Sequence, residues 1–361
     1  MKSLSEWPRS LDRAFRTLGG GVRLYAKNGS WRAWAQGTSY VLERLLRRAL
    51  PFTVFLAPTY RCQCSCAHCY SALREGDHNA EMTTVELKEV IGQIKALGAV
   101  RLTLTGGEPL LRKDICDLVA HAHEIGLITH VSTNGALLTR ERVAELRRAG
   151  LDQCGIAIDD ADPDTHDRLR GVPGLYEKAT RGFRFLRDSG IESRFVTSAC
   201  FVDLGRGMER LMDLAGRLKA KKFHVQFPYA SGRWADSFTG ELSEADMDRL
   251  RGLQRFMRSP LVLFEFPTPE TMCCAVKKTI LYITAAGDVT PCPVIPYAIG
   301  DIRSEPLAEI WKRHVEAMRM DSRGKCPMNN AAARTALRAH AAAVRSAGPR
   351  RDGLGIGVHK D

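Results

Sequence analysis

The sequence predicts an α/β fold, a partial (β/α)6 barrel followed by a small α+β C-terminal extension. Three observations carry that prediction. Short apolar runs alternate with amphipathic stretches six times between residues 51 and 235. The amphipathic stretches are long enough to cross over to a parallel neighbour. The alternation then stops after Phe227.

Taken in order, Phe52–Pro58 (FTVFLAP) reads as the first strand and leads into a cysteine-rich loop. Val85–Leu97 is an amphipathic helix stopped by Gly98, and Val100–Thr105 (VRLTLT) the second strand. Asp114–Ile125 reads as a helix, Leu127–Ser132 as a strand, and Arg140–Ala149 as a helix ended by Gly150. Strand Asp152–Asp159, helix Leu175–Asp188, strand Ser193–Val202, helix Met208–Leu218 and strand Lys222–Phe227 complete the series. Right-handed crossovers curl such a series into a barrel. Beyond it, Ser243–Met257 reads as a helix and Pro260, Pro267 and Pro269 mark an irregular stretch. A hairpin is expected about Ala285-Ala286-Gly287, then helices over Glu305–Met318 and Ala331–Ser346. The expected domains are a basic N-terminal helical segment (1–50), the barrel (51–235), a linker helix with the extension (236–330) and an Ala/Arg-rich helical tail (331–361).

At 361 residues and 44% hydrophobic, the chain has enough length for a full core without disulfide staples. No apolar run approaches the ~18–20 residues that span a bilayer, and no secretory signal pattern opens the chain. A cytoplasmic location is therefore expected. The net charge of +12 sits at the ends, with +7 in residues 1–50 and +4 in residues 331–361. The body carries only +1, which argues against a nucleic-acid groove and leaves no nucleic-acid partner expected. The N-terminal segment carries Trp7, Trp31 and Trp34 and an amphipathic basic stretch, Tyr40–Leu50. Packing over the barrel is the plainer reading of it; contact with a membrane surface, with a lipid-linked substrate, is the other.

Eleven cysteines, an odd number, argue against a disulfide framework. Cys62, Cys64, Cys66 and Cys69 fall within eight residues, while Cys273, Cys274, Cys292 and Cys326 form a looser second group. Cys116, Cys154 and Cys200 are scattered singles that read as small buried hydrophobes. In Arg61–Tyr70 (RCQCSCAHCY), Cys62, Cys66 and Cys69 stand in C-x3-C-x2-C spacing directly after a strand. Three thiolates on a tight loop suit a [4Fe–4S] cluster with one open iron. Structural zinc needs a fourth ligand, and Cys64 or His68 could supply it.

The same segment resembles the radical S-adenosylmethionine (radical SAM) superfamily, and three further segments agree with it in order. Thr105–Pro109 (TGGEP) is similar to the GGEP motif, Ser132–Gly135 (STNG) to the TNG element, and Gly155–Gly171 (GIAIDDADPDTHDRLRG) to the S-x-D-G…H-D…R-G segment. Each lies at the C-terminal end of a predicted strand, the face where barrel chemistry gathers. The resemblance implies a TIM-like partial barrel and a catalytic [4Fe–4S] cluster on Cys62, Cys66 and Cys69 that binds S-adenosylmethionine. It implies that Gly106 and Gly107 admit the methionine amino group, that Glu108 pairs with it, and that Arg170 holds the carboxylate as a fork. Ser132 and Asn134 would face the nucleoside, and Tyr70 the adenine. The sequence departs from the pattern at Ala157 and Asp160, where the family has Ser and Gly. The implied reaction is reductive cleavage of S-adenosylmethionine to a 5′-deoxyadenosyl radical that abstracts hydrogen from a C–H bond.

Cys274–Cys292 (CAVKKTILYITAAGDVTPC), Leu307–Trp311 (LAEIW) and Cys326 resemble the SPASM/twitch extension. That resemblance implies an auxiliary [4Fe–4S] cluster on Cys274, Cys292 and Cys326, with Cys273 as a rival ligand. An auxiliary cluster that takes up the substrate electron makes the enzyme an oxidoreductase. The expected substrate is a small natural-product or cofactor intermediate, and a precursor peptide is the alternative, as for a peptide maturase. A reducing partner such as flavodoxin or ferredoxin is implied in either case. Cys200 as a hydrogen donor would instead make an epimerase, and a non-catalytic metal-binding module is the reading from a different class.

Overall fold

The computed structural model describes residues 49–74, 81–198, 204–226, 229–235, 261–264, 278–318 and 326–346, with a few single positions between 243 and 252. The N-terminal 48 residues, Cys200, Cys273 and Cys274 lie outside the described residues, as does most of the helix expected over 243–257.

The chain begins with β1 (Thr53–Thr59), α1 (Thr84–Ala96), β2 (Arg101–Gly106), α2 (Ile115–Glu124) and β3 (Ile128–Thr133). It continues through α3 (Arg140–Arg148), β4 (Gln153–Ala157), α4 (Pro163–Arg170), α5 (Leu175–Ser189), β5 (Glu192–Ser198), α6 (Arg206–Arg217) and β6 (Lys222–Gln226). The described part closes with β7 (Leu261–Phe264), β8 (Ile280–Ile283), β9 (Asp288–Thr290), β10 (Gly300–Asp301), α7 (Leu307–Ala317) and α8 (Ala331–Ser346). Helix starts follow local chemistry: Thr83 and Glu86 form a reciprocal capping box on α1, and Asp162 caps α4 one residue before Pro163.

Among the described residues, the strands join one sheet in the order β10-β9-β8-β1-β2-β3-β4-β5-β6-β7. The run from β8 to β7 is parallel, and only the β8-β9-β10 corner is antiparallel. This is an α/β, partial TIM-like barrel that does not close. Strand alternation sorts the side chains: Leu56, Leu104, Val131, Cys154, Phe195 and Phe223 point outward into the helix-packed core. Phe195 stacks between Phe183 and Phe223 at 5.7 and 5.1 Å.

One expectation about the C-terminal half is corrected. The stretch read as irregular contains β7, which extends the parallel sheet beyond β6. The expected hairpin forms from β8 and β9, and β8 also runs parallel to β1, with Thr53 opposite Ile280 and Leu56 opposite Ile283. Further ties fix the extension to the barrel: the Met82 N–H donates to Ala285 O at 2.9 Å, Gln93 Oε1 accepts from the Leu307 N–H, and the Trp311 indole donates to Ala49 O.

Candidate cluster and cofactor site

The cysteine loop leaves β1 at the C-terminal end of the sheet and is held there from several sides. Gly107 N–H donates to Thr59 O at 3.0 Å and Glu108 N–H to Arg61 O at 2.8 Å, which seats the end of β2 under the start of the loop. A Cβ on Gly106 would lie 2.3 Å from Thr59 O, and one on Gly107 would lie 2.4 Å from Arg61 O. The glycine pair is therefore required by the backbone of the loop itself, a reason separate from the close approach of a ligand. From β3, Asn134 Oδ1 accepts from Gln63 Nε2 at 3.1 Å, and Asn134 Nδ2 stands 3.9 Å from Cys62 Sγ. From the end of α4, Arg170 O accepts from Ser65 N–H and Leu169 O from Ala67 N–H.

The fourth support has no motif. After β6, the Arg233 N–H donates to Cys69 O at 3.0 Å, and the Arg233 guanidinium donates to Cys66 O at 3.3 Å. Gly232 passes so close that a Cβ would fall 2.0 Å from Cys69 O, and its φ of +64° suits glycine. The same segment reaches the second cysteine group. Ser231 Oγ donates to Val294 O, two residues after Cys292, and Ala230 N–H donates to Asn329 Oδ1, three residues after Cys326. Cys292 and Cys326 are buried together in one apolar cluster, against which Tyr70 and Tyr229 pack. Segment 229–234 thus bridges the two cysteine groups.

The thiols carry a distinct electrostatic pattern. The Cys64 thiol hydrogen-bonds to both Cys62 and Cys66, lowering Cys62 and, helped by the Arg170 guanidinium, drawing Cys66 down to about 6. Burial pushes the Cys69 thiol up. Two of the three expected ligands are therefore biased toward the thiolate, the form that binds iron. This donor set, on one loop, fits the [4Fe–4S] cluster that the spacing implies.

The remaining expected residues take the following places. Glu108 is fully buried, with Oε1 accepting from Leu110 N–H and the Thr133 hydroxyl and Oε2 from Asn134 N–H. Burial raises it to about 7. The Tyr70 hydroxyl pairs with Thr105 Oγ1 at 3.2 Å, and Ser132 lies on β3, half-buried, two residues before Asn134. Arg170 is paired within the protein. Its Nε and Nη2 both lie 2.7 Å from Asp159 Oδ2, so the fork meets a carboxylate of the protein. Although burial opposes it, the Arg170 guanidinium holds Asp159 below the usual carboxylate range. His68 turns the same way, with Nε2 3.5 Å from Asp159, and burial lowers its pKa.

Fold and loop together define an iron–sulfur enzyme of the barrel class. A model of the radical SAM superfamily matches residues 56–218, and one of an iron–sulfur cluster-binding domain, SPASM, matches residues 273–332. The chain belongs to the radical SAM superfamily, and its two domains imply a catalytic and an auxiliary [4Fe–4S] cluster together with S-adenosylmethionine. Among curated relatives, the AdoMet-dependent heme synthase of Methanosarcina barkeri is 29% identical over 74% of this chain and 85% of its own length. The PqqA peptide cyclase of Rhizobium meliloti is also 29% identical, over 74% and 76%. Among solved structures, Streptococcus suis SuiB bound to precursor peptide SuiA superposes with a TM-score of 0.63 at 18% identity, over 78% of this chain and 69% of that one. That likeness is one of fold. Among the described residues, no helix is long and apolar enough to cross a membrane.

Proposed function

We propose that the chain is an oxidoreductase that removes hydrogen from a C–H bond of a small cofactor or natural-product intermediate. The observation that carries this reading is the bridge from Cys66 and Cys69, through Arg233, Ser231 and Ala230, to the segments bearing Cys292 and Cys326. A second cysteine group tied this closely to the first suits an electron acceptor for the substrate. When bound, the cluster and S-adenosylmethionine supply a 5′-deoxyadenosyl radical; the protein binds, orients and excludes water. Cys62, Cys66 and Cys69 hold the catalytic cluster, and Cys292 and Cys326, with Cys274 or Cys273, the auxiliary one.

Glu108 takes the ammonium of S-adenosylmethionine, Ser132 and Asn134 face its nucleoside, and Tyr70 lies beside the adenine. Arg170, already engaged by Asp159, is assigned a positioning role on the loop in place of the carboxylate contact that the resemblance implied. The heme-synthase relatives support a tetrapyrrole as the class of substrate. Peptide maturation is the second reading, supported by the PqqA peptide cyclase relative.

The test is anaerobic turnover of the cluster-loaded full chain with a reductant. Carboxylated tetrapyrroles and short ribosomal precursor peptides would be supplied separately. The proposal expects 5′-deoxyadenosine above the uncoupled rate, and a product two electrons more oxidised, with the tetrapyrrole. The same result with the peptide alone would replace it by the second reading.

A further inference from the structure

We propose that Cys64 is the resolving thiol of the cysteine loop, forming a reversible disulfide with Cys62 whenever the loop carries no cluster. The step is independent of which substrate the enzyme oxidises. Cys64 is the one cysteine of Arg61–Tyr70 that the C-x3-C-x2-C spacing leaves unused. A spare cysteine by itself signals nothing, but the loop holds this one against a partner.

The chain bends at Gln63, between Cys62 and Cys64, and the bend is held from β3 by the Gln63 Nε2 bond to Asn134 Oδ1 at 3.1 Å. One residue beyond Cys64, the Ser65 N–H donates to Arg170 O at 3.0 Å. Cys64 therefore stands between two fixed points, one tied to β3 and the other to the end of α4. Within this turn the Cys64 N–H donates to Cys62 Sγ at 3.4 Å, and the two thiols hydrogen-bond to each other. Two cysteines on either side of one bent residue come within the ~4.4–6.8 Å Cα separation that a disulfide spans.

Reach from solvent selects Cys62 as the partner. Cys62 is exposed and Cys64 half-buried, whereas Cys66, which also hydrogen-bonds to Cys64, is only 8% exposed. An oxidant in solution meets Cys62 first. An accessible thiol beside a second thiol is captured as a disulfide and spared the irreversible steps to sulfinic and sulfonic acid. Cys62 is an expected iron ligand, so irreversible oxidation there would end cluster assembly. A bridge to Cys64 keeps it recoverable.

The oxidant class is a small-molecule disulfide. The Cys62 sulfur attacks it, forming a mixed disulfide and releasing one small thiol. The Cys64 sulfur then attacks the Cys62 sulfur, and the second small thiol leaves. Two S–H bonds of the loop are lost and one S–S bond forms, while both electrons and both protons end on the two released thiols. A dithiol reductant reverses the exchange. With Cys62 bound to iron the first step has no free sulfur, which confines the bridge to the cluster-free chain.

The experiment exposes the full chain, once cluster-free and once cluster-loaded, to oxidised glutathione under anaerobic conditions. Free thiols are blocked with one label, disulfides are then reduced, and the released thiols take a second label. Trypsin cuts after Arg61 and Arg74, so one peptide carries Cys62, Cys64, Cys66 and Cys69, and fragment masses place each label. In the cluster-free wild type the second label is expected on Cys62 and Cys64, and the first on Cys66 and Cys69. The cluster-loaded chain should carry about tenfold less of the second label in this peptide. In Cys64→Ser and Cys64→Ala the bridge should fall about tenfold and glutathione should stay attached to Cys62. A wild-type bridge that omits either Cys62 or Cys64 overturns the proposal, as does a glutathione adduct that persists in the wild type as it does in the Cys64 variants. An equal bridge in the cluster-loaded chain overturns it too. The wild-type label map decides the pairing alone, so poor folding of a variant does not protect the proposal.

Discussion

The Arg233 N–H donates to the Cys69 carbonyl at 3.0 Å, across 164 residues of chain, and so ties the segment after β6 to the loop after β1. Gly232 makes the approach possible, since a Cβ there would collide with the same carbonyl. Gly232→Ala should therefore unseat the loop. The expected outcome is a several-fold loss of S-adenosylmethionine-dependent change in the EPR spectrum of the reduced catalytic cluster. Gly216→Ala, on α6 with nothing within 4 Å, is the control and should stabilise by about 0.5–1 kcal/mol. Unchanged spectra in Gly232→Ala would remove the bridge from the account.

Asp159 and Arg170 form a buried ion pair that anchors the end of α4, whose carbonyls receive the cysteine loop. Asp159→Asn leaves a guanidinium in the interior without its counter-charge. A loss of about 3–5 kcal/mol in unfolding free energy is expected from denaturant titration of the loaded protein. A loss under about 1 kcal/mol would show that the pair is not the anchor.

Glu108 connects the site to pH. Its folded pKa, about 7, lies above the usual ~4.3–4.5 of an unfolded Glu. The group's contribution to stability is therefore fully present below about 4.5 and is lost as pH rises to about 7 in the cofactor-free protein. Binding of an ammonium group favours the ionised carboxylate, so affinity for S-adenosylmethionine should increase as pH rises through about 7. Glu108→Gln should weaken binding about tenfold and flatten the pH profile, as read by equilibrium dialysis. A profile that keeps its slope in the variant would reassign the ammonium contact.

Cys64 lies between two expected ligands without belonging to the C-x3-C-x2-C spacing. Cys64→Ser should retain the wild-type iron content after reconstitution. A fall of about four iron per chain would make Cys64 a ligand.

The first six strands were legible because their outward positions, such as Leu56, Leu104 and Phe195, are apolar in regular alternation. β7 was not legible, because four residues between prolines carry too little pattern. Nor was the pairing of β8 with β1, since a hairpin signal is local and does not say which sheet edge it meets. In the site, the cysteines and the GGEP segment could be read from spacing. The Asp159–Arg170 pair was hidden because Arg170 already had a role in the resemblance. Ser231-Gly232-Arg233 carries no motif in the sequence, so its contact with the cysteine loop had no local signal beyond the glycine.

The central claim is that two cysteine groups, joined by segment 229–234, hold two clusters, one of which generates the radical. Iron and sulfide per chain after anaerobic reconstitution test it most directly, in the wild type and in the triple variant Cys62→Ala/Cys66→Ala/Cys69→Ala. The account predicts about eight iron in the wild type and about four in the triple variant. About four in the wild type, falling to near zero, would contradict it and leave no second cluster to accept the substrate's electron.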